Sequence, residues 1–241
     1  MTYLERAAGE YRFCAWLGCQ SLRLCGLDVS LETPGDSSRG PGRTSEGMNL
    51  LLDEIVELYG FSGAAVLQDA GYFLRVRVDA HCIADPVWVA ALCRLQREEH
   101  CELALQLSVE GALLDPFDER VCFHLAILRT VNVGVVIELS RVLSGTDVDA
   151  LALAGVTGLA GGVDQLCALT SGPLSANVLC DGRDAAIGLS LSAQNVTSPR
   201  QFDVARALRC AFVSGPLIGE ALNGAAALDL ARRSAWGASE R

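Results

Sequence analysis

The sequence predicts one α/β domain over residues 1–241, in which about eight strands and their connecting helices pack as a (β/α)8-like barrel. Short apolar runs alternate with segments of helical apolar spacing, which is typical of parallel βαβ units. The chain has 241 residues, of which 51% are hydrophobic, so it can bury a sizeable core. A doubly wound open sheet is the alternative, but no GxGxxG motif opens a first helix.

The strands are predicted from short apolar or alternating runs. The stretch "LRLCGLDVSL" is interpreted as a strand pair. The alternation in "YFLRVRVDA" predicts a strand on which Arg75 and Arg77 share one face. The remaining strands are predicted at 103–109, 135–139, 150–154, 189–193 and 211–213.

Three helices are predicted to begin where a capping side chain precedes proline, because proline suits the first turn of a helix. In the second of them, Val121, Leu125 and Leu128 fall on one face. A further helix is predicted over 48–61, and the Pro-, Gly- and Ser-rich segment 33–47 is predicted to be a loop. The capping pairs are Asp85-Pro86, Asp115-Pro116 and Ser198-Pro199.

The charge balance argues against several classes of function. The net charge is −10 and the sequence pI is about 4.8, so the chain has no electrostatic reason to bind nucleic acid. All 19 basic residues are arginine, which excludes any mechanism that needs a lysine. The first residues contain acids and no apolar core, and no run of about 18 apolar residues follows. We therefore expect a cytoplasmic protein with no membrane partner.

Cysteine and histidine spacing gives little support for a metal site. The ten cysteines are dispersed and form no CxxC pair, so they are interpreted as buried free thiols. The side chains within each adjacent pair, His81-Cys82 and His100-Cys101, point in different directions on a strand or helix, so the pairs are interpreted as ordinary, partly exposed residues. His124 lies among apolar residues and is interpreted as a core or groove histidine. No cofactor is predicted.

The stretch "GLSLSAQNVTSPRQFDVARALRCAFVSGPLIGEAL" resembles the last third of EAL domains, the family of cyclic di-GMP phosphodiesterases. In the family, a strand ends in an acid-glycine-valine-acid turn, which here is Gln194-Asn195-Val196-Thr197. A helix ending in Leu-Gly-Cys and a Gln-Gly strand follow, here Leu208-Arg209-Cys210 and Ser214-Gly215.

The resemblance extends upstream over most of the chain, and it implies a family site that has lost most of its functional residues. Asp28 takes the place of the motif glutamate, and Glu32 that of the phosphate-binding arginine. Arg77 replaces an asparagine, whereas Glu110 keeps the acid of its strand. The paired aspartates become Ser140 and Arg141, and the Lys-Ile-Asp strand becomes Ala152, Leu153 and Ala154. The connection between them is shorter than in the family, so either its helix is truncated or the register of the match slips there.

These replacements predict that the chain does not catalyse the reaction of the family. That reaction needs two divalent metals held by oxygen ligands, and the arginines at two ligand positions would repel them. Inside a barrel Arg75 and Arg77 need counter-charges, and Glu110 on the next strand is the candidate. We expect Arg77 and Glu110 to form a structural ion pair across neighbouring strands. The candidate ligand-binding residues of this degenerate site are Asp28, Arg77, Glu110, Arg141 and Gln194, although binding of cyclic di-GMP is not the favoured function.

Three functional hypotheses follow from the resemblance. The first is a regulator of motility, biofilm or virulence that binds another protein, for which the negative charge favours a basic partner surface. The second is an inactive receptor that still binds cyclic di-GMP. The third is an enzyme with a rearranged site, which the missing lysine and acids oppose. We expect the partner to dock at the end of the barrel that carries loop 33–47.

Overall fold

The computed structural model describes residues 11–31, 67–98, 104–110, 114–140, 143–171 and 189–239. Loop 33–47, the predicted helix 48–61, the His100-Cys101 pair, Glu32 and Arg141 lie outside these residues. Within them, no helix is both long and apolar enough to cross a membrane.

Eight strands form a closed barrel in the order of the chain, which confirms the predicted fold class. Strand β1 runs antiparallel to both of its neighbours, β2 and β8, whereas β2 to β8 are parallel to one another. The carboxyl ends of β2 to β8 therefore meet at one end of the barrel, which we call the mouth. The strands are β1 Tyr11–Gly18, β2 Leu24–Leu31, β3 Phe73–Arg77, β4 Ala104–Glu110, β5 Val133–Glu138, β6 Gly158–Gly161, β7 Ser190–Ala193 and β8 Phe212–Val213.

Helices follow the parallel strands and begin near the mouth. Asp85 accepts hydrogen bonds from the backbone of Val87 and Trp88, and Ser198 accepts one from Gln201, as their capping patterns predicted. The helices are α1 Ala80–Ala84, α2 Pro86–Glu98, α3 Glu119–Thr130, α4 Gly145–Ala154, α5 Val163–Thr170, α6 Pro199–Ala207 and α7 Gly224–Ser239.

The prediction of a strand at 150–154 is wrong. These residues end α4, whose N-terminus carries a reciprocal capping box of Ser144 and Asp147 and whose C-terminus is Gly155 with φ 101°. The sixth strand of the barrel is Gly158–Gly161 instead. The connection after Ser140 thus contains a helix of 10 residues, and the expectation of a shortened connection came from a slip in register.

Two smaller predictions also need correction. The stretch "LRLCGLDVSL" is not a strand pair, since Leu24–Leu31 forms one strand that follows a turn after β1. Asp115 does not cap α3; its carboxylate accepts a hydrogen bond from the backbone of Phe117 in a turn, and Asp118 caps the helix through the backbone of Arg120.

The apolar core lies between the outer face of the barrel and the helices. Leu105 and Leu107 of β4 point outwards and are fully buried there. Val121, Leu125 and Leu128 of α3 are buried as well, which confirms their predicted shared face. Because the outer face of the strands supplies this core, the inner face is free to carry the polar side chains described next.

Candidate functional site

Four of the five predicted site residues lie on strands that lead to the mouth. Asp28 is on β2, Arg77 ends β3, Glu110 ends β4 and Gln194 directly follows β7. The fifth, Arg141, lies outside the described residues. The barrel therefore collects these side chains at one end, but it does not bring all of them into contact.

The predicted ion pair between Arg77 and Glu110 is wrong. Arg77 instead binds Glu138 at the end of β5, with Nε donating to Oε1 over 3.3 Å and Nη2 donating to Oε2. Ser108 Oγ donates to the same carboxylate over 2.7 Å. Glu110 is exposed on the strand that lies between the two partners. Three adjacent strands are thus joined at the mouth by one carboxylate.

Arg75 is an arginine enclosed within the barrel, with none of its surface exposed. Its Nε and Nη2 donate to Gln106 Oε1 over 3.1 and 2.7 Å. The guanidinium carbon lies 4.2 Å from the centre of the Trp16 ring, which is a cation–π geometry. Burial lowers the pKa of Arg75 to about 10, and the charges of Asp28 and Glu138 oppose that shift.

Asp28 is a carboxylate held in a low-dielectric environment. Burial raises its pKa to about 6. Arg75 and Arg77 oppose this rise, whereas Glu138 adds to it. The Trp16 indole N–H is close enough to favour the charged form, although its Nε1 makes no hydrogen bond of normal geometry with a described residue. Asp28 therefore carries only part of its charge near pH 6.

The interior side chains stack in layers of four from alternate strands, as in other barrels of this kind. Residues at the same height on alternate strands are offset by two positions from the residues that the strand pairing connects, and we call this offset the stagger. Two contacts follow it: Arg75 lies on Trp16, and Arg77 binds Glu138. The same stagger gives an inner layer of Trp16, Arg75, Val136 and Ser192, and a mouth layer of Cys14, Arg77, Glu138 and Gln194. Between them lie Asp28, Ser108, Ala160 and Ser214 of the even strands.

The turn after β7 has a fixed conformation without a carboxylate. Asn195 adopts φ 55°, and the backbone N–H of Val196 donates to Ser214 O over 3.0 Å. Thr197 donates to Gln201 Oε1 through both its backbone N–H and its hydroxyl. Gly215 has φ 138°, and a Cβ there would lie 2.3 Å from the nitrogen of Val196. The turn thus keeps a defined shape but offers amide and hydroxyl groups.

These residues do not fit a centre for two divalent metals. Such ions need several carboxylate ligands free of other cations, but the charges of Arg75 and Arg77 act on Asp28, and Glu138 is bound by Arg77 and Ser108. The sixth strand, Gly158–Gly161, offers neither lysine nor carboxylate. No group of three or more His, Cys, Asp or Glu side chains in the described ranges could hold a metal ion.

Sequence reasoning missed Glu138, which is the acceptor at the centre of the mouth cluster. The signal was a charged residue at the end of the apolar run "VVIE", in phase with the inward-facing Val136. It also offered Glu110 as the counter-charge for Arg75, whereas Arg75 contacts Gln106 and Trp16. The prediction for His124 agrees with the structure, since it is buried with Nδ1 2.7 Å from Ile83 O. Of the pair predicted to be partly exposed, His81 is exposed beside Asp79, but Cys82 is fully buried.

No family model and no curated protein matches the sequence, but its structure is similar to solved EAL domains. The EAL enzyme Bd1971, solved with cAMP and cyclic di-GMP bound, superposes with a TM-score of 0.69 at 12% identity, covering 95% of this chain and 67% of that one. The EAL domain of Mycobacterium smegmatis DcpA gives 0.66 at 14%, covering 93% and 96%. Bacillus subtilis YkuI, solved with its substrate c-di-GMP and calcium, gives 0.65 at 13%, covering 99% and 63%.

At these identities the likeness concerns the fold. The closed eight-stranded barrel with its outer helices matches the (β/α)8 fold of EAL domains. The structural neighbours are EAL domains from cyclic di-GMP signalling, as the sequence resemblance led us to expect.

Proposed function

We propose that the protein is a non-catalytic EAL-like regulator of bacterial signalling that acts by binding another protein. The observation that supports this most is the pairing of mouth carboxylates with arginines. Glu138 binds Arg77, and Asp28 lies in the field of Arg75 and Arg77. Positive side chains thus supply the counter-charge that the family's reaction would require from metals.

The ion pair also blocks a simple return to catalysis. Arg77 would have to leave Glu138 before a cation could approach, and Glu138 is only 15% exposed. A cation that approached Asp28 would also be repelled by the neighbouring charge of Arg75. The two obstacles involve different arginines, so replacing one residue would not rebuild the centre.

Exposed apolar side chains near the mouth support the protein-binding role. Val87 at the start of α2 is 76% exposed, and Phe117 and Phe123 around the start of α3 are 74% and 64% exposed. The two helices follow consecutive strands, so these side chains lie on the same end of the barrel. Apolar groups beside a polar cluster are the usual make-up of a docking surface.

The second candidate function is an inactive receptor for cyclic di-GMP. The observation that favours it is Arg77, whose side chain is 72% exposed at the end where such barrels bind ligands. YkuI was solved with this dinucleotide and calcium. The pairing of Arg77 with Glu138 counts against it, since a phosphate would have to compete with an existing carboxylate.

The decisive experiment combines three measurements on the purified chain. Cyclic di-GMP with Mg²⁺ or Mn²⁺ should yield no linear dinucleotide, under conditions in which an active EAL domain converts it fully. Calorimetric titration with cyclic di-GMP should show no binding. If binding does occur and Arg77→Ala abolishes it, while Arg129→Ala at the far end of α3 does not, the receptor function is correct.

The protein-binding role is tested by co-purification from the native cell without added nucleotide. We expect a specific protein to be recovered, and Phe123→Ser to reduce its recovery. Leu153→Ser is the matched control, because Leu153 is 83% exposed but lies at the end of α4 that is far from the mouth. Equal losses with both variants would contradict docking beside the mouth.

A further inference from the structure

We propose that the centre of the barrel holds an ordered water molecule bound by Trp16, Arg75 and Ser192. Three buried polar atoms have no hydrogen-bond partner among the described residues: Trp16 Nε1, Arg75 Nη1 and Ser192 Oγ. None of the three side chains has any exposed surface. Buried polar atoms normally have hydrogen-bond partners, so these three atoms indicate a partner that is not one of the described residues.

The three atoms belong to one layer of the barrel. They lie on β1, β3 and β7, and the stagger of the strands puts all three side chains in the inner layer with Val136. The stacking of Arg75 on Trp16 at 4.2 Å confirms this arrangement for two of them. One acceptor on the barrel axis would therefore meet the unpaired groups together.

The layer on the mouth side of the three atoms is polar and contains small side chains. Barrel interiors are usually packed with branched apolar residues. Here that layer consists of Asp28, Ser108, Ala160 and Ser214. A polar site with several partners and small neighbours is the kind of place that holds internal water.

The local charges favour water over an anion. Arg75 is the cation of the inner layer, but the charges of Asp28 and Glu138 already act on it. Those two carboxylates balance the guanidinium groups of Arg75 and Arg77, so an added anion would meet no excess positive charge. Water accepts from Trp16 and Arg75 and donates to Ser192 Oγ, which satisfies every unpaired atom without adding charge.

The test is nuclear magnetic resonance on the intact chain. The indole N–H of Trp16, assigned from its loss in Trp16→Phe, should show a cross-peak to a long-lived water although the residue is fully buried. Ser192→Val fills the position and should abolish that cross-peak. It should also lower the melting temperature by at least about 4–8 °C, because two buried donors, Trp16 Nε1 and Arg75 Nη1, are then left unsatisfied.

Ser190→Ala is the matched control, because Ser190 lies on the same strand but already donates to Thr157 O over 3.2 Å. It should keep the cross-peak. Absence of the cross-peak in the wild-type protein would overturn the proposal. So would an anomalous peak at this position in a crystal grown from bromide, since it would identify an anion site.

Discussion

The Arg77–Glu138 pair should stabilise the protein by about 1–2 kcal/mol. Exposed ion pairs contribute up to about 1 kcal/mol, whereas breaking a buried pair costs about 3–5 kcal/mol. This pair lies between the two cases, since the Arg77 side chain is 72% exposed and that of Glu138 only 15%. After Arg77→Ala, the hydrogen bond from Ser108 would still support the carboxylate.

A double-mutant cycle separates this interaction from other effects of the substitutions. Arg77→Ala, Glu138→Gln and the double variant would be unfolded in urea, and their free energies of unfolding compared. Glu110→Gln is the matched control, because Glu110 is also an acid at the end of a neighbouring strand. Its coupling to Arg77 should be below about 0.5 kcal/mol.

A larger coupling of Arg77 to Glu110 than to Glu138 would refute this reasoning. It would mean that the Arg77 side chain binds Glu110 on the adjacent strand β4 instead of Glu138 on β5. The stagger that defines the inner and mouth layers would then be wrong as well.

The remaining predictions concern Asp28, Arg75 and Gly215. Burial raises the folded-state pKa of Asp28 from 3.8 to about 6, so the protonated form of this side chain favours folding. This stabilisation of about 3 kcal/mol should be lost as the pH rises from 4 to 7. Urea unfolding of Asp28→Asn should not show that loss. Arg75→Met should cost about 3–5 kcal/mol at pH 7 by removing the counter-charge of Asp28, and much less at pH 4; equal losses at both pH values would contradict the coupling. Gly215→Ala should cost about 1–3 kcal/mol, because φ is 138° and the new methyl meets the backbone of Val196; an unchanged melting curve would show that the turn can shift.

Most strands were predictable because their inner and outer faces differ in a simple way. The β4 run "ALQLSVE" puts Leu105 and Leu107 on one face and Gln106 and Ser108 on the other. Such alternation needs no knowledge of neighbouring strands. The first residues of α2 and α6 were equally predictable, because proline and a capping side chain act within one turn.

The sixth strand was missed for a compositional reason. Gly158–Gly161 consists of glycine, leucine and alanine, and has no β-branched residue to mark it. The preceding "ALALA" is apolar and was mistaken for the strand. The capping box of Ser144 and Asp147, followed by Gly155, was the available signal that a helix occupied this segment.

The position of the site in the barrel could be predicted, but not which of its side chains bind one another. The chain order of the strands sufficed to place Asp28, Arg77, Glu110 and Gln194 towards one end. Pairing depends on the stagger of a closed barrel, which brings Arg77 to a strand two places away. The sequence of a single strand does not reveal that offset, so Glu110 on the adjacent strand was predicted, incorrectly, as the partner of Arg77.

Closure of the barrel has a consequence for folding. Strand β1 pairs with β2 nearby in the chain but also with β8, where Leu17 lies opposite Val213 near the other end of the sequence. The β1–β2 hairpin can form early, whereas the ring cannot close until the last strand is available. That strand, Phe212–Val213, is only two residues long. The seam between β1 and β8 is therefore where the finished ring should open first, and its amides should exchange with solvent sooner than those of β4 and β5.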